Sequence, residues 1–142
     1  METIIIILTF ILAIATKAGG DALRYRCDTT HNNEERAELG VKYHILHTLQ
    51  VIILIVGMSF VKLDYLQIIY YLFIYALYNY AIFDLLFNVF GKKDLFYVGN
   101  TAYWDRLIRK YVKGYYIFLY WLSKLIIFLF VSFLAIYKLL FL

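Results

Sequence analysis

Four long apolar runs limit what this chain can fold into more than any other feature of its sequence. They cover approximately residues 3–20, 41–61, 65–90 and 118–141. About 20 apolar residues in a helix cross the hydrocarbon core of a bilayer, and backbone hydrogen bonds are satisfied there only within helices or closed barrels. The sequence therefore predicts an all-α integral membrane protein, with one transmembrane domain over residues 1–142 folded as a four-transmembrane-helix bundle.

The composition agrees with this class. Of the 142 residues, 64% are hydrophobic, and none is proline, the usual cause of helix kinks. The net charge of +4 comes from lysines and arginines that flank the apolar runs. Anionic lipid headgroups are a better counter-charge for that pattern than nucleic acid is, so we expect a lipid bilayer as the partner and no nucleic acid.

The first apolar run admits two interpretations. Residues 13–15, Ala-Ile-Ala, imitate the small-residue site at which signal peptides are cleaved, but the preceding Met1–Thr3 has no lysine or arginine. We expect a retained span, with cleavage as the alternative. The turn between the second and third runs is short, at residues 61–64, so those two spans are expected to pack as an antiparallel hairpin.

A different pattern precedes the last run. Over residues 102–116, aromatic and aliphatic side chains recur at spacings of three and four, and the opposite face is basic. This pattern predicts an amphipathic helix that lies along the headgroups on the cytoplasmic side of the membrane. Within the last run, Lys124 and Lys138 are expected to extend their charged ends toward the membrane surface.

Lysines and arginines are concentrated in two of the three connections between the runs. The first connection contains Arg24, Arg26 and Arg36, and the third, residues 91–117, contains six more basic residues, whereas the second contains Lys62. By the positive-inside rule, the two long loops are cytoplasmic and both termini lie outside. The expected location is the inner membrane of a bacterial-type cell.

This topology brings polar side chains from different spans to one depth, near the cytoplasmic boundary. Ionisable groups inside a span normally face protein or water, and they are functional candidates by default. The polar cluster predicted there consists of Asp21, Arg24, His44, His47, Asp84 and Asn88, with Asp105 and Arg106 of the amphipathic helix closing it from below.

Three interpretations of this cluster are open. In the first, its histidines and aspartates bind zinc, iron or manganese, which activates a water molecule for hydrolysis. In the second, Cys27, His31, His44 and His47 form a tetrahedral zinc site, although their spacing matches no standard zinc finger. In the third, the side chains hydrogen-bond one another and set helix packing without a cofactor. We favour the third, because structural ion pairs imitate functional sites.

A pattern of polar and aromatic residues occurs in Phe83–Asn88 and Tyr97–Arg106: Phe-Asp and a spaced Asn, then Tyr-Val-Gly and Trp-Asp-Arg. With this pattern the chain resembles a family of small, uncharacterised polytopic membrane proteins from bacteria and their phages. The family is similar also in an acidic-Ala-Leu element, here Asp21–Leu23, and in a histidine on the second span, here His44 or His47. The resemblance implies that these polar positions belong to one unit, and it implies no known activity.

The sequence contains no P-loop, dinucleotide fingerprint or nucleophilic triad, so it predicts no reaction. We expect a protein of structural or interaction type, such as a phage-like membrane factor or an accessory subunit, in a homo-oligomer or a larger membrane complex. The alternative is a membrane-embedded, metal-dependent hydrolase that uses the His/Asp cluster. Whether the chain is an enzyme is left open by its sequence.

Overall fold

The computed structural model describes residues 2–60, 64–97, 110–111 and 115–141, and within these ranges the long elements are four α-helices. They are α1 (Glu2–Thr29), α2 (Asn33–Ser59), α3 (Tyr65–Phe90) and α4 (Tyr115–Phe141). All four are long and apolar enough to cross a membrane. The predicted all-helical, four-helix architecture is therefore confirmed.

The amphipathic helix expected over residues 102–116 lies mostly outside the described residues, and so do Asp105 and Arg106. Nothing in the fold tests that element.

Side chains at the helix ends explain where α2 and α3 begin. The side chain of Asn32 accepts hydrogen bonds from the backbone N–H groups of Glu34 and Glu35 at the start of α2. Asp64 caps α3 reciprocally with Gln67, each side chain accepting from the other residue's backbone N–H. These caps satisfy backbone donors that a helix leaves free at its first turn.

α1 is the helix that the other three share. It packs against α2, α3 and α4, and α4 also packs against α3. Within the described residues the backbones of α2 and α3 do not approach each other closely, and one side-chain bond, from Gln50 to Tyr75, links them; the close hairpin packing expected from their short turn is therefore wrong. A short turn requires only that two helix ends lie close, and both helices use α1 as their packing partner instead.

The buried core lies along one side of α1. Ile6, Phe10 and Ile14 of α1 join residues of α3 and α4 in one apolar cluster. The ring of Phe10 meets those of Tyr71 and Tyr75 edge to face, at centroid distances of 6.5 and 5.1 Å. The cleavage-like tripeptide at residues 13–15 therefore sits inside a core helix, and loss of the residues before it would remove Ile6 and Phe10 from the core.

The end of the α1–α2 interface that lies far from the connection between these helices depends on Gly57. A Cβ atom on Gly57 would lie 2.1 Å from the hydroxyl oxygen of Thr9, far inside van der Waals contact. That hydroxyl donates a hydrogen bond of 2.7 Å to the carbonyl of Ile5, so it is held in place. Small residues at such positions let membrane helices approach closely.

Two glycines of α2 give a matched test of this close approach. We expect Gly57→Ala to lower the free energy of unfolding by about 1–3 kcal/mol, because the new methyl group overpacks the interface. Gly40→Ala is the control, since a Cβ there meets nothing within 4 Å, and it should stabilise the helix by about 0.5–1 kcal/mol. SDS titration of the protein in mixed micelles measures both changes. Equal stabilisation by the two substitutions would contradict the packing described.

Candidate functional site

The polar residues predicted to share one cluster fall into two separate groups. Asp21, Arg24 and His47 lie around Tyr43 between α1 and α2, and His44 contacts the same ring from the exposed side of α2; we call these five residues the α1–α2 cluster. Asp84 lies instead between α3 and α4. Its neighbours form the α3–α4 cluster, which consists of Tyr80, Asp84, Tyr120, Trp121 and Lys124.

A histidine–aspartate contact joins α1 to α2. The Nε2 atom of His47 lies 3.2 Å from Oδ1 of Asp21, and about a third of each side chain is exposed. Gly20 makes this contact possible, because a Cβ atom there would lie 2.9 Å from Cδ2 of His47. Gly20 directly precedes Asp21, so the sequence carried a signal for a close helix approach at this site.

Tyr43 is the centre of the α1–α2 cluster, and the sequence analysis missed it. Its ring centroid lies 4.8 Å from that of His47 and 4.4 Å from that of His44. The guanidinium carbon of Arg24 lies 5.8 Å from the same centroid, within cation–π range. The available signal was its spacing, since Tyr43 lies one helical turn before His47 on the same face of α2.

The described residues do not support either metal site. They contain no group of three histidine, cysteine, aspartate or glutamate side chains that could hold a metal ion. The reason is rotational, because His47 turns toward α1 whereas His44 lies on the exposed side of α2, beside Val41 and Ile45. Cys27 is engaged elsewhere, with its thiol donating to the carbonyl of Arg36 at 3.3 Å.

The α3–α4 cluster contains a buried ion pair. Nζ of Lys124 lies 2.8 Å from Oδ2 of Asp84, and the hydroxyl of Tyr120 donates to the same oxygen at 2.8 Å. Lys124 also donates to the backbone carbonyl of Tyr80 at 2.6 Å. Only 4% of the Lys124 side chain is exposed, against 35% for Asp84. The lysine is therefore enclosed, and the carboxylate is reached from one side.

Aromatic rings complete the surroundings of Lys124. Its Nζ lies 4.3 Å from the ring centroid of Tyr80, 4.9 Å from that of Tyr120 and 5.8 Å from that of Trp121. The expectation that Lys124 extends toward the membrane surface is therefore wrong, because a carboxylate and three rings hold the ammonium inside the bundle. The corresponding expectation for Lys138 concerns a side chain outside the described set.

Asn88 belongs to neither cluster. It is almost fully buried, and its Nδ2 donates to the carbonyl oxygens of Leu95 and Tyr97 at 2.9 and 2.8 Å. These bonds tie the segment after α3 back onto the helix. Its role is therefore structural, because it supplies hydrogen-bond donors to two backbone carbonyl groups of this connection.

No protein-family model, curated protein or solved structure matches this chain, so the resemblance carried by Phe83–Asn88 and Tyr97–Arg106 stays a prediction. The site is therefore interpreted from its own geometry.

The ion pair between α3 and α4 can be tested by a double-mutant cycle. We expect Asp84→Asn and Lys124→Met each to lower the free energy of unfolding by about 3–5 kcal/mol, because each leaves a charge unpaired among apolar residues. For Lys124→Met the loss should lie near the lower end, since the remaining carboxylate is partly exposed. The double variant should lose less than the sum of the single losses.

The readout for this cycle is SDS unfolding, with Asp94→Asn as the control. Asp94 is exposed after α3, and its neutralisation should change stability by less than about 0.5 kcal/mol. Additive single effects would show that the two side chains do not interact.

Proposed function

We propose that this chain is an integral membrane protein of structural or interaction type, inserted by α1–α4 and held together by polar contacts between its spans. One observation carries the proposal. Of the five ion pairs among the described residues, three join one helix to another: His47 with Asp21, Lys124 with Asp84, and Arg26 with Glu35. Such contacts stabilise the packing of membrane helices and need no ligand.

The energetic cost of a charged side chain in a bilayer supports this interpretation of Lys124. A lysine at the centre of a single span costs at least about 2.5–3.5 kcal/mol to insert. Pairing with Asp84, whose carboxylate also accepts a hydrogen bond from Tyr120, offsets that cost only when α3 and α4 are packed. The cluster therefore favours one arrangement of these two helices over others.

α2 offers a surface for interaction. Only 6% of its spanning window is buried, against 39% for α1. Its exposed side carries large apolar residues, including Val41, Ile45, Ile52 and Ile55. In a bilayer this side contacts acyl chains wherever no partner helix covers it, so the assemblies that we propose are a homo-oligomer or a larger membrane complex, as for a phage-like membrane factor or an accessory subunit.

Metal analysis separates this proposal from the metal-dependent hydrolase. We expect purified wild-type protein to contain no stoichiometric zinc, iron or manganese, because Asp21 and His47 supply only two ligand side chains to one point. Elemental analysis by mass spectrometry measures this. Stoichiometric metal that is lost in His47→Ala and kept in His44→Ala would overturn the proposal in favour of a metal site built on the α1–α2 cluster.

The proposed orientation places both long connections in the cytoplasm and both termini outside. Its support is that basic residues of two connections meet at one end of the bundle. There Nζ of Lys93 donates to the hydroxyl of Tyr25 at 2.9 Å. Arg24 and Arg26 flank Tyr25 at the same end. A concentration of basic residues beside the spans marks the cytoplasmic side.

Cysteine labelling tests this orientation in a Cys27→Ser background. With a membrane-impermeant thiol reagent, Lys62→Cys should be labelled in intact spheroplasts, and Asn100→Cys only after permeabilisation, because the two positions lie in connections on opposite sides. Wild-type Cys27 is the control, and it should behave like Asn100→Cys. Labelling of Lys62→Cys and Asn100→Cys from the same side would contradict the topology.

A further inference from the structure

One stripe of α1 changes character along its length. Ile6, Phe10 and Ile14 are followed at spacings of three and four by Lys17 and Asp21, so all five lie on one side of the helix. The three apolar members are at most 3% exposed. Lys17 and Asp21 are partly exposed, although they too contact neighbouring helices. The same side of α1 is therefore sealed at one end and open at the other.

The exposed surface at the open end faces either hydrocarbon or water. Asp21 and His47 expose 30% and 32% of their side chains. Contact of an ionisable group with hydrocarbon costs at least about 2.5–3.5 kcal/mol. Two such groups side by side would make that arrangement expensive, whereas water solvates both. The energetics favour water.

Lys17 gives an independent indication of how deep the water reaches. Its Nζ lies 4.8 Å from the ring centroid of Phe83, and Phe83 precedes the end of α3 by seven residues, which is roughly 10 Å along a helix. If Lys17 extended to the membrane surface, its ammonium would lie nearer to the end of α3 than Phe83 does. Among the described residues Lys17 forms no salt bridge, so its ammonium needs solvent at that depth.

We propose that the end of the bundle at which α1 and α2 are joined contains a water-filled cleft lined by Lys17, Asp21, Arg24 and His47. The cleft reaches the level of Phe83 and admits water and small hydrophilic solutes from the side on which it opens. This proposal rests on the membrane insertion proposed above. A polar cleft of this kind differs from a helix contact that only holds two spans together.

The cleft ends inside the bundle and does not continue to the other face. Beyond Lys17 the stripe is closed by Ile14 and Phe10, and the ring of Phe10 packs against Tyr71 and Tyr75. Gln50 of α2 also donates to the hydroxyl of Tyr75 at 3.4 Å, bridging α2 and α3 at this level. The apolar plug makes the cleft a one-sided pocket.

Single-cysteine reactivity tests the cleft in a Cys27→Ser background. The protein is reconstituted in nanodiscs, so that a charged methanethiosulfonate reagent reaches both faces and the result does not depend on orientation. The positions compared are Lys17→Cys in the cleft, Ile14→Cys in the plug, and Leu85→Cys. Leu85 is the matched control, because it lies two residues from Phe83 and its exposed side chain is apolar.

We expect Lys17→Cys to react at least about tenfold faster than Leu85→Cys, because a thiol ionises in water and not in hydrocarbon. Ile14→Cys should be as slow as Leu85→Cys. If Lys17→Cys prevents folding, Phe83→Cys replaces it in the same comparison. Equally slow reaction at the cleft positions and at Leu85→Cys would overturn the cleft alone. Fast reaction at Leu85→Cys would instead overturn membrane insertion.

Discussion

Close packing of α1 against the other three helices is the interaction on which the rest of this structure depends. In a bilayer, lipid chains are as apolar as leucine, so helices associate through van der Waals contact and polar bonds. Gly57 admits Thr9 at one end of the α1–α2 interface, and Gly20 admits His47 at the other. The second of these approaches also places the His47 ring beside Asp21. Helix spacing and the position of the polar side chains therefore have a common origin.

The distribution of charge follows from the same packing. Lys17 and Lys124 are among the positively charged residues of the apolar helices, and Asp21 and Asp84 are among the negatively charged ones. Lys124 is enclosed and is held by a carboxylate and a backbone carbonyl, whereas Lys17, Asp21 and Asp84 are partly exposed. Full pairing is needed where water is excluded, and partial exposure suffices where it enters. This contrast separates the enclosed Lys124 from the side chains that can be hydrated.

The predictability of the candidate site differs from residue to residue. The contact between Asp21 and His47 was predicted from topology, because the end of one span and the start of the next must share a depth. His44 was grouped with His47 by depth, but residues three apart are offset by about 60° around a helix. His47 therefore contacts Asp21 of α1, whereas His44 lies toward the exposed side of α2. Asp84 lies in a polar contact between helices, as expected, but its partners are Lys124 and Tyr120 and not a histidine. Lys124 was misassigned because its sequence neighbours do not reveal a carboxylate on α3.

The sequence by itself determined that this chain forms long apolar helices and which apolar segment each of them contains. Those properties are local, since they depend on the length and hydropathy of one segment at a time. Only the tertiary structure decided that α2 and α3 pack on α1 more closely than on each other, that Lys124 pairs with Asp84, and that Tyr43 lies among the polar residues of α1 and α2. These features depend on the rotation of each helix about its axis and on the spacing between helices. Both are set by packing across interfaces, which no single segment encodes.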